Sequence, residues 1–233
     1  IVALVFLAVA GNEKRAAAGL TRQNWKSAVL IVLAFVGIYI VRTVVSVAVQ
    51  GVSDGSGMQH VKEWAAMFKN PMMWLNIAAL PINYFFVFIA FFGEEYGWRY
   101  YLQPVLQKRF GLRAGVIILG IVWGLWHIPD DLFYYTQTSG IQMIFAQQIT
   151  CISLGIFFAY AYMKTQNIWV PVCLHYLNNN LIPIISGTFS ADVLENQTVS
   201  WKDLPVALVL NGLCFGFFLL ADVFKKKEVQ EEE

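Results

Sequence analysis

The chain has 233 residues, of which 58% are apolar and only 13% charged, with a formal net charge of +1. That charge content is about half of the roughly 25% usual in a soluble domain, and aromatics reach 15%. The composition excludes a disordered chain, a disulfide-framed secreted module and a nucleic-acid binder, and it points to a polytopic membrane protein.

Apolar runs of about 20 residues are the length of a membrane-spanning helix. In chain order they fall at Ile1–Ala10, Ala28–Val49, Met72–Phe92, Leu112–Ile128, Ile141–Met163, Ile168–Ile185 and Leu204–Phe224. The chain opens inside the first run without a Met, so this run is read as the tail of a first membrane helix. Strands are not expected, because period-2 alternation is absent and the runs are too long for barrel strands. The predicted fold is all-α: a transmembrane bundle of about seven spans, the first truncated. Three regions are expected: N-terminal helices over 1–71, a core over 72–190, and an outer loop, last helix and charged tail over 191–233.

The loops sort by charge. Lys14, Arg15, Arg22 and Lys26, then Lys108, Arg109 and Arg113, then Lys164, then Lys225–Lys227 alternate with loops carrying Asp54 and Glu63, Asp130 and Asp131, and Asp192, Glu195 and Asp203. By the positive-inside rule the basic loops and the C-terminus face the cytoplasm. The chain is thus read as a multi-pass protein of a cell membrane, bacterial in type, in contact with lipid.

Ionisable groups inside spanning segments are costly, so each is a candidate for function. They are few: Arg42 in the second run; Glu94, Glu95 and Arg99 after the third; His127 at the end of the fourth; and His175 in the sixth, beside Asn178, Asn179 and Asn180. Glu95 and Arg99 are spaced i, i+4 with the acid first, the favourable order for a helical ion pair. Glu94 points about 100° away. One carboxylate is then neutralised while its neighbour stays free to act as a general base. Trp123 lies four residues before His127, so its ring can brace the imidazole. His175 and Asn179 share a helix face. Pro171 and Pro183 bracket that pair and suggest a kinked helix.

Depth brings these groups together. Glu94 precedes Lys108 by 14 residues and His127 follows Arg113 by 14, so each lies roughly 21 Å along its helix from a basic loop. His175 follows Lys164 by 11 residues, part of them loop, which places it about 15 Å in. No His-Glu-x-x-His, no paired intramembrane Asp and no nucleophilic Ser context is present. A carboxylate, two imidazoles and a carboxamide remain. They can deprotonate a water and donate to an oxyanion, or they can ligate a metal that acidifies the water.

Glu94-Glu95-Tyr96-Gly97-Trp98-Arg99 resembles the Glu-Glu-x-x-x-Arg motif of the CPBP (Abi) intramembrane proteases. That family includes the type II CAAX prenyl endopeptidases and bacteriocin-processing and self-immunity proteins. Trp123–His127 resembles its Phe-x-x-x-His motif with Trp for Phe, and His175–Asn179 its His-x-x-x-Asn/Asp motif, in the family's order. The resemblance covers about residues 72–190. It implies an endopeptidase acting on a membrane-associated peptide or protein. Glu94 and His127 would activate water, Glu95 and Arg99 would support the site, and His175 with Asn179 would stabilise the oxyanion. It leaves open whether Glu94, His127 and His175 hold zinc or no cofactor is required. It also leaves open a non-catalytic role, as a self-immunity protein or a membrane signalling partner.

Overall fold

The computed structural model describes residues 11–186 and 195–225. Ile1–Ala10, Asp192 and the tail beyond Lys225 lie outside the described residues. Among the described residues the chain is helical, without strands. Eleven elements carry the fold: α1 (Asn12–Ala17), α2 (Trp25–Asp54), α3 (Gly57–Lys69), α4 (Pro71–Glu95), a π-helical turn (Tyr96–Leu102), α5 (Gln103–Phe110), α6 (Leu112–Trp126), α7 (Ile128–Phe133), α8 (Gly140–Thr165), α9 (Trp169–Ser186) and α10 (Asp203–Cys214). Two short 3-10 turns follow, Gly216–Leu220 and Asp222–Phe224.

Among the described residues, four helical stretches are long and apolar enough to cross a membrane: Trp25–Val49, Pro71–Phe110, Leu112–Phe133 and Gly140–Thr165. They contain four of the expected spans. The fifth, α9, has 18 residues and carries His175 and the three asparagines, so it is less apolar. Its Pro171 sits in the first turn, where a missing N–H breaks no helical hydrogen bond. The last expected span, Leu204–Phe224, is broken. α10 stops at Cys214 because Phe215 leaves helical geometry (φ −122°, ψ −40°) to bury its ring against Phe35 and Phe157. Gly212 and Gly216 flank the break and weaken the helix there. Arg113 holds the turn that follows, its Nε donating to the Leu219 carbonyl at 3.2 Å.

The bundle is built around α8. Residues 153–159 are buried on all sides of that helix, the pattern of a fully enclosed helix. Phe35, Trp123, Phe157, Phe158, Leu174 and Phe215 form the main core around it. Leu30, Leu33, Phe85 and Phe86 are exposed on the outer surface, as expected where lipid is the solvent.

Small residues let α6 approach α8 closely. A Cβ on Gly120 would stand 2.6 Å from the Ile152 Cα, whereas one on Gly155 would reach only 3.5 Å from the Gly120 Cα. Close backbone approach of this kind replaces the hydrophobic drive that lipid cannot supply. Gly120→Ala is therefore expected to lower the thermal midpoint in detergent by several degrees, the result of about 1–3 kcal/mol of overpacking. Gly155→Ala should stay close to wild type. Equal midpoints for the two variants would remove the close-approach argument.

Candidate active site

The Glu-Glu-x-x-x-Arg segment lies on a continuous helical stretch from Pro71 to Phe110, with no break at Pro81 or Pro104. Its centre is a π-helical turn, Tyr96–Leu102. Pro104 explains the wider turn. It has no N–H to offer the Tyr100 carbonyl, and its ring pushes that carbonyl aside.

Glu95, the last residue of α4, and Arg99, within this turn, face inward and are both fully buried. Arg99 Nε lies 3.2 Å from Glu95 Oε2. The guanidinium is sandwiched between Trp123 and Phe158, 4.8 and 5.2 Å from their ring centroids. Those faces supply cation–π attraction in a desolvated place. The other carboxylate oxygen, Glu95 Oε1, accepts from His175 Nδ1 at 2.9 Å. Glu95 thus joins α4 to α9 while bridging a guanidinium and an imidazole. This link spans 80 residues, and no local spacing signals it.

Glu94 lies on the next face and is partly exposed. Its Oε2 is buried without a hydrogen bond among the described residues. It lies within electrostatic reach of Arg99 and Cys151.

His127 sits at the joint between α6 and α7. Pro129 cannot donate to the Leu125 carbonyl, so α6 ends at Trp126. The His127 amide turns to the Gly124 carbonyl at 3.1 Å, a tighter bond than the helical one. That frees the Trp123 carbonyl, which accepts from His127 Nδ1 at 2.8 Å. The tautomer follows from this partner: Nδ1 holds the proton and Nε2 carries a lone pair. Trp123 does more than brace His127. Its ring meets His127 edge-on at 5.8 Å and His175 at 5.4 Å, so one indole spans both imidazoles.

His127, His175 and Asn179 all line one cavity of about 440 Å³. Glu94, Glu95 and Arg99 are not among its lining residues. Asn178 Nδ2 donates to Asn179 Oδ1 at 3.0 Å, which leaves the Asn179 amide group to the cavity. Arg42 and Asn211 also line the cavity, as do Gln147 and Cys151; the sequence reading assigned these no role. Cys151 Sγ lies 3.8 Å from His127 Nδ1. Tyr135, in the loop after α7, faces the same cavity. Burial, helped by nearby Asp130 and Asp131, pushes its hydroxyl up to about 12, so it stays a proton donor.

The donor set bears on the zinc alternative. Each imidazole has its Nδ1 occupied and its Nε2 free. Among the described residues, however, no three His, Cys, Asp or Glu side chains converge as a ligand set. Glu94 stands off the cavity. The described residues in this arrangement do not form a three-ligand site.

The fold and this site define a polytopic helical membrane protein with a polar cluster held inside the bundle. Residues 74–181 match the model of the family described as type II CAAX prenyl endopeptidase Rce1-like. The chain is also similar to CAAX prenyl protease 2 of Methanococcus maripaludis, 28% identical over 125 residues. That alignment covers 50% of this chain and 45% of the relative, so the chain spans about half the length of the curated relative it matches. No solved structure matches. Both matches bear out the CPBP resemblance carried by the three motifs, and all three motifs fall inside the matched segment. That segment is thus similar to a family of membrane proteases.

Proposed function

We propose that the chain is an intramembrane endopeptidase that hydrolyses a peptide bond near the prenylated end of a membrane-associated substrate. The observation that carries this reading is the pair of imidazoles on one cavity, each with Nδ1 tied off and, among the described residues, no partner on Nε2. The mechanism calls for a water between the Glu94 carboxylate, which does not line the cavity in this structure, and His127 Nε2. Glu94 takes one proton as the water oxygen adds to the scissile carbonyl carbon. The carbonyl oxygen becomes an oxyanion and accepts from His175 Nε2–H and the Asn179 amide. Glu94 then returns the proton to the departing nitrogen, the C–N bond breaks, and a carboxylic acid and an amine leave.

In this reading His175 carries a proton on each ring nitrogen, one donated to Glu95 Oε1 and one to the oxyanion.

A second reading rests on a specific contact. Glu95 orients His175 by a short hydrogen bond, as a carboxylate orients a catalytic imidazole, while Glu94 lies off the cavity. There His175 Nε2 is the base.

The test is cleavage of S-prenylated peptides by purified protein in detergent, followed by mass spectrometry. Glu94→Gln, His127→Ala and His175→Ala are compared with wild type. Full cleavage by all three variants overturns both readings. In the cell the proposed setting is a multi-pass protein whose site opens to the cytoplasmic side or laterally to lipid. A protease accessibility map of the basic loops in sealed vesicles checks that orientation.

A further inference from the structure

One charged group in the cavity has no part in this chemistry. Arg42, on α2 and outside the segment matched by the family model, turns into the same cavity as His127 and His175. It is the one Lys, Arg, Asp or Glu among the described lining residues. Its Nε donates to Asn211 Oδ1 at 2.9 Å. Asn211 is itself buried and held by its amide donating to the Ala207 carbonyl at 2.9 Å. The Tyr39 ring lies 6.0 Å from the guanidinium carbon. The head group is thus fixed on one edge. Among the described residues its two terminal nitrogens hold no further hydrogen bond. No carboxylate of the cavity wall neutralises it.

A guanidinium fixed at Nε with its other donors open is arranged for a carboxylate. Its position relative to the imidazoles can be read from the packing. α2 and α9 run side by side in the same direction. Asn24 Nδ2 meets the Thr165 carbonyl at 3.0 Å at one end, and the Tyr39 hydroxyl approaches the Asn178 carbonyl at 3.5 Å further along. Arg42 is three residues past Tyr39, and Asn178 is three past His175. At 1.5 Å per residue, Arg42 stands roughly 9 Å beyond the level of His175. An extended peptide covers that in about two or three residues at ~3.3 Å each.

We propose that Arg42, positioned by Asn211, binds the C-terminal carboxylate of the substrate and so determines where along the chain the bond is cut. The inference rests on the endopeptidase reading for its reaction but not for its binding site. The cavity takes the free C-terminal end of a chain, not an internal segment threaded through it.

The experiment uses the full chain in detergent and an S-farnesylated hexapeptide ending in Cys-Ala-Ala-Met, as the free acid and as the C-terminal amide. Wild type is expected to cleave the acid roughly 10- to 100-fold better in kcat/KM, the range of a charge-assisted hydrogen bond, with the difference in KM. Arg42→Gln should bring the acid-to-amide ratio to within about threefold, and Arg42→Lys should restore part of it. A second arm measures thermal stabilisation of the protein by each peptide without reference to turnover. Stabilisation by the acid alone, lost in Arg42→Gln, supports the carboxylate site even if neither peptide is cut; in that case the endopeptidase reading is what fails. Cleavage of acid and amide at equal rates keeps that reading and overturns this one. A preference for the acid that survives Arg42→Gln also overturns it, as does the absence of any preference in both arms. Arg42→Lys keeps the test decisive if the glutamine variant does not fold.

Discussion

Arg99→Met is expected to be among the most damaging single substitutions in the bundle. Arg99 and Glu95 are both fully buried and form an ion pair at 3.2 Å. Removing the guanidinium leaves a carboxylate inside the bundle with only His175 to face it. Breaking one side of a buried pair costs about 3–5 kcal/mol, most of it the desolvation of the abandoned charge. The variant should lose its sharp thermal transition in detergent or show it many degrees lower. The double variant Glu95→Gln/Arg99→Met should recover much of that loss, because neither charge is then stranded. The Met side chain also fills space between Trp123 and Phe158. Losses that simply add in the double variant would show that the two groups are not coupled and would remove the ion pair as the organiser of the site.

Glu94→Gln should do the opposite: abolish turnover and leave the fold intact. Glu94 is a partly exposed residue whose carboxylate makes no ion pair and whose Oε2 has no hydrogen bond among the described residues. Its neutral isostere therefore strands nothing. Loss of a general base costs about 10²–10⁴ in rate. Cleavage of the farnesylated peptide should fall by that factor in kcat, with a thermal midpoint close to wild type. Glu95→Gln is expected to fail in both assays, since it frees Arg99 and loosens His175 together. If Glu94→Gln instead turns over normally, the Glu95–His175 pair is the base, and the second reading replaces the first.

These two neighbouring glutamates show how unevenly the site was legible. The pairing of Glu95 with Arg99 follows from four-residue spacing, a local property of any helix. The structure adds that Glu95 closes α4 and Arg99 sits in the π-helical turn that follows, imposed by Pro104. The common depth of the Glu, His and His/Asn groups follows from counting residues to the basic loops. The structure does bring Glu95, Trp123, His127 and His175 into contact. The scarcity of charge made this possible: with 13% charged residues, each ionisable group within an apolar run stands out.

What spacing could not reach is what depends on the rotation and lateral order of the helices. The depth count places a residue along the membrane normal but says nothing about its neighbours in the plane. So Arg42 read as an isolated charge on an early helix. Only the packing of α2 beside α9 and α10 turns it toward the cavity and gives it Asn211 as a partner, 169 residues away. The broken last helix is a second case. Its apolar run is long enough to span, but Phe215 is drawn into the aromatic core, and that gain exists only once Phe35 and Phe157 are already in place. Class, number of apolar segments and the polar side-chain types within them are local, additive properties of the chain, and a count along it suffices. Which side chains share a cavity is a property of close packing between distant segments, where one helix turned by a third of a turn exchanges every partner.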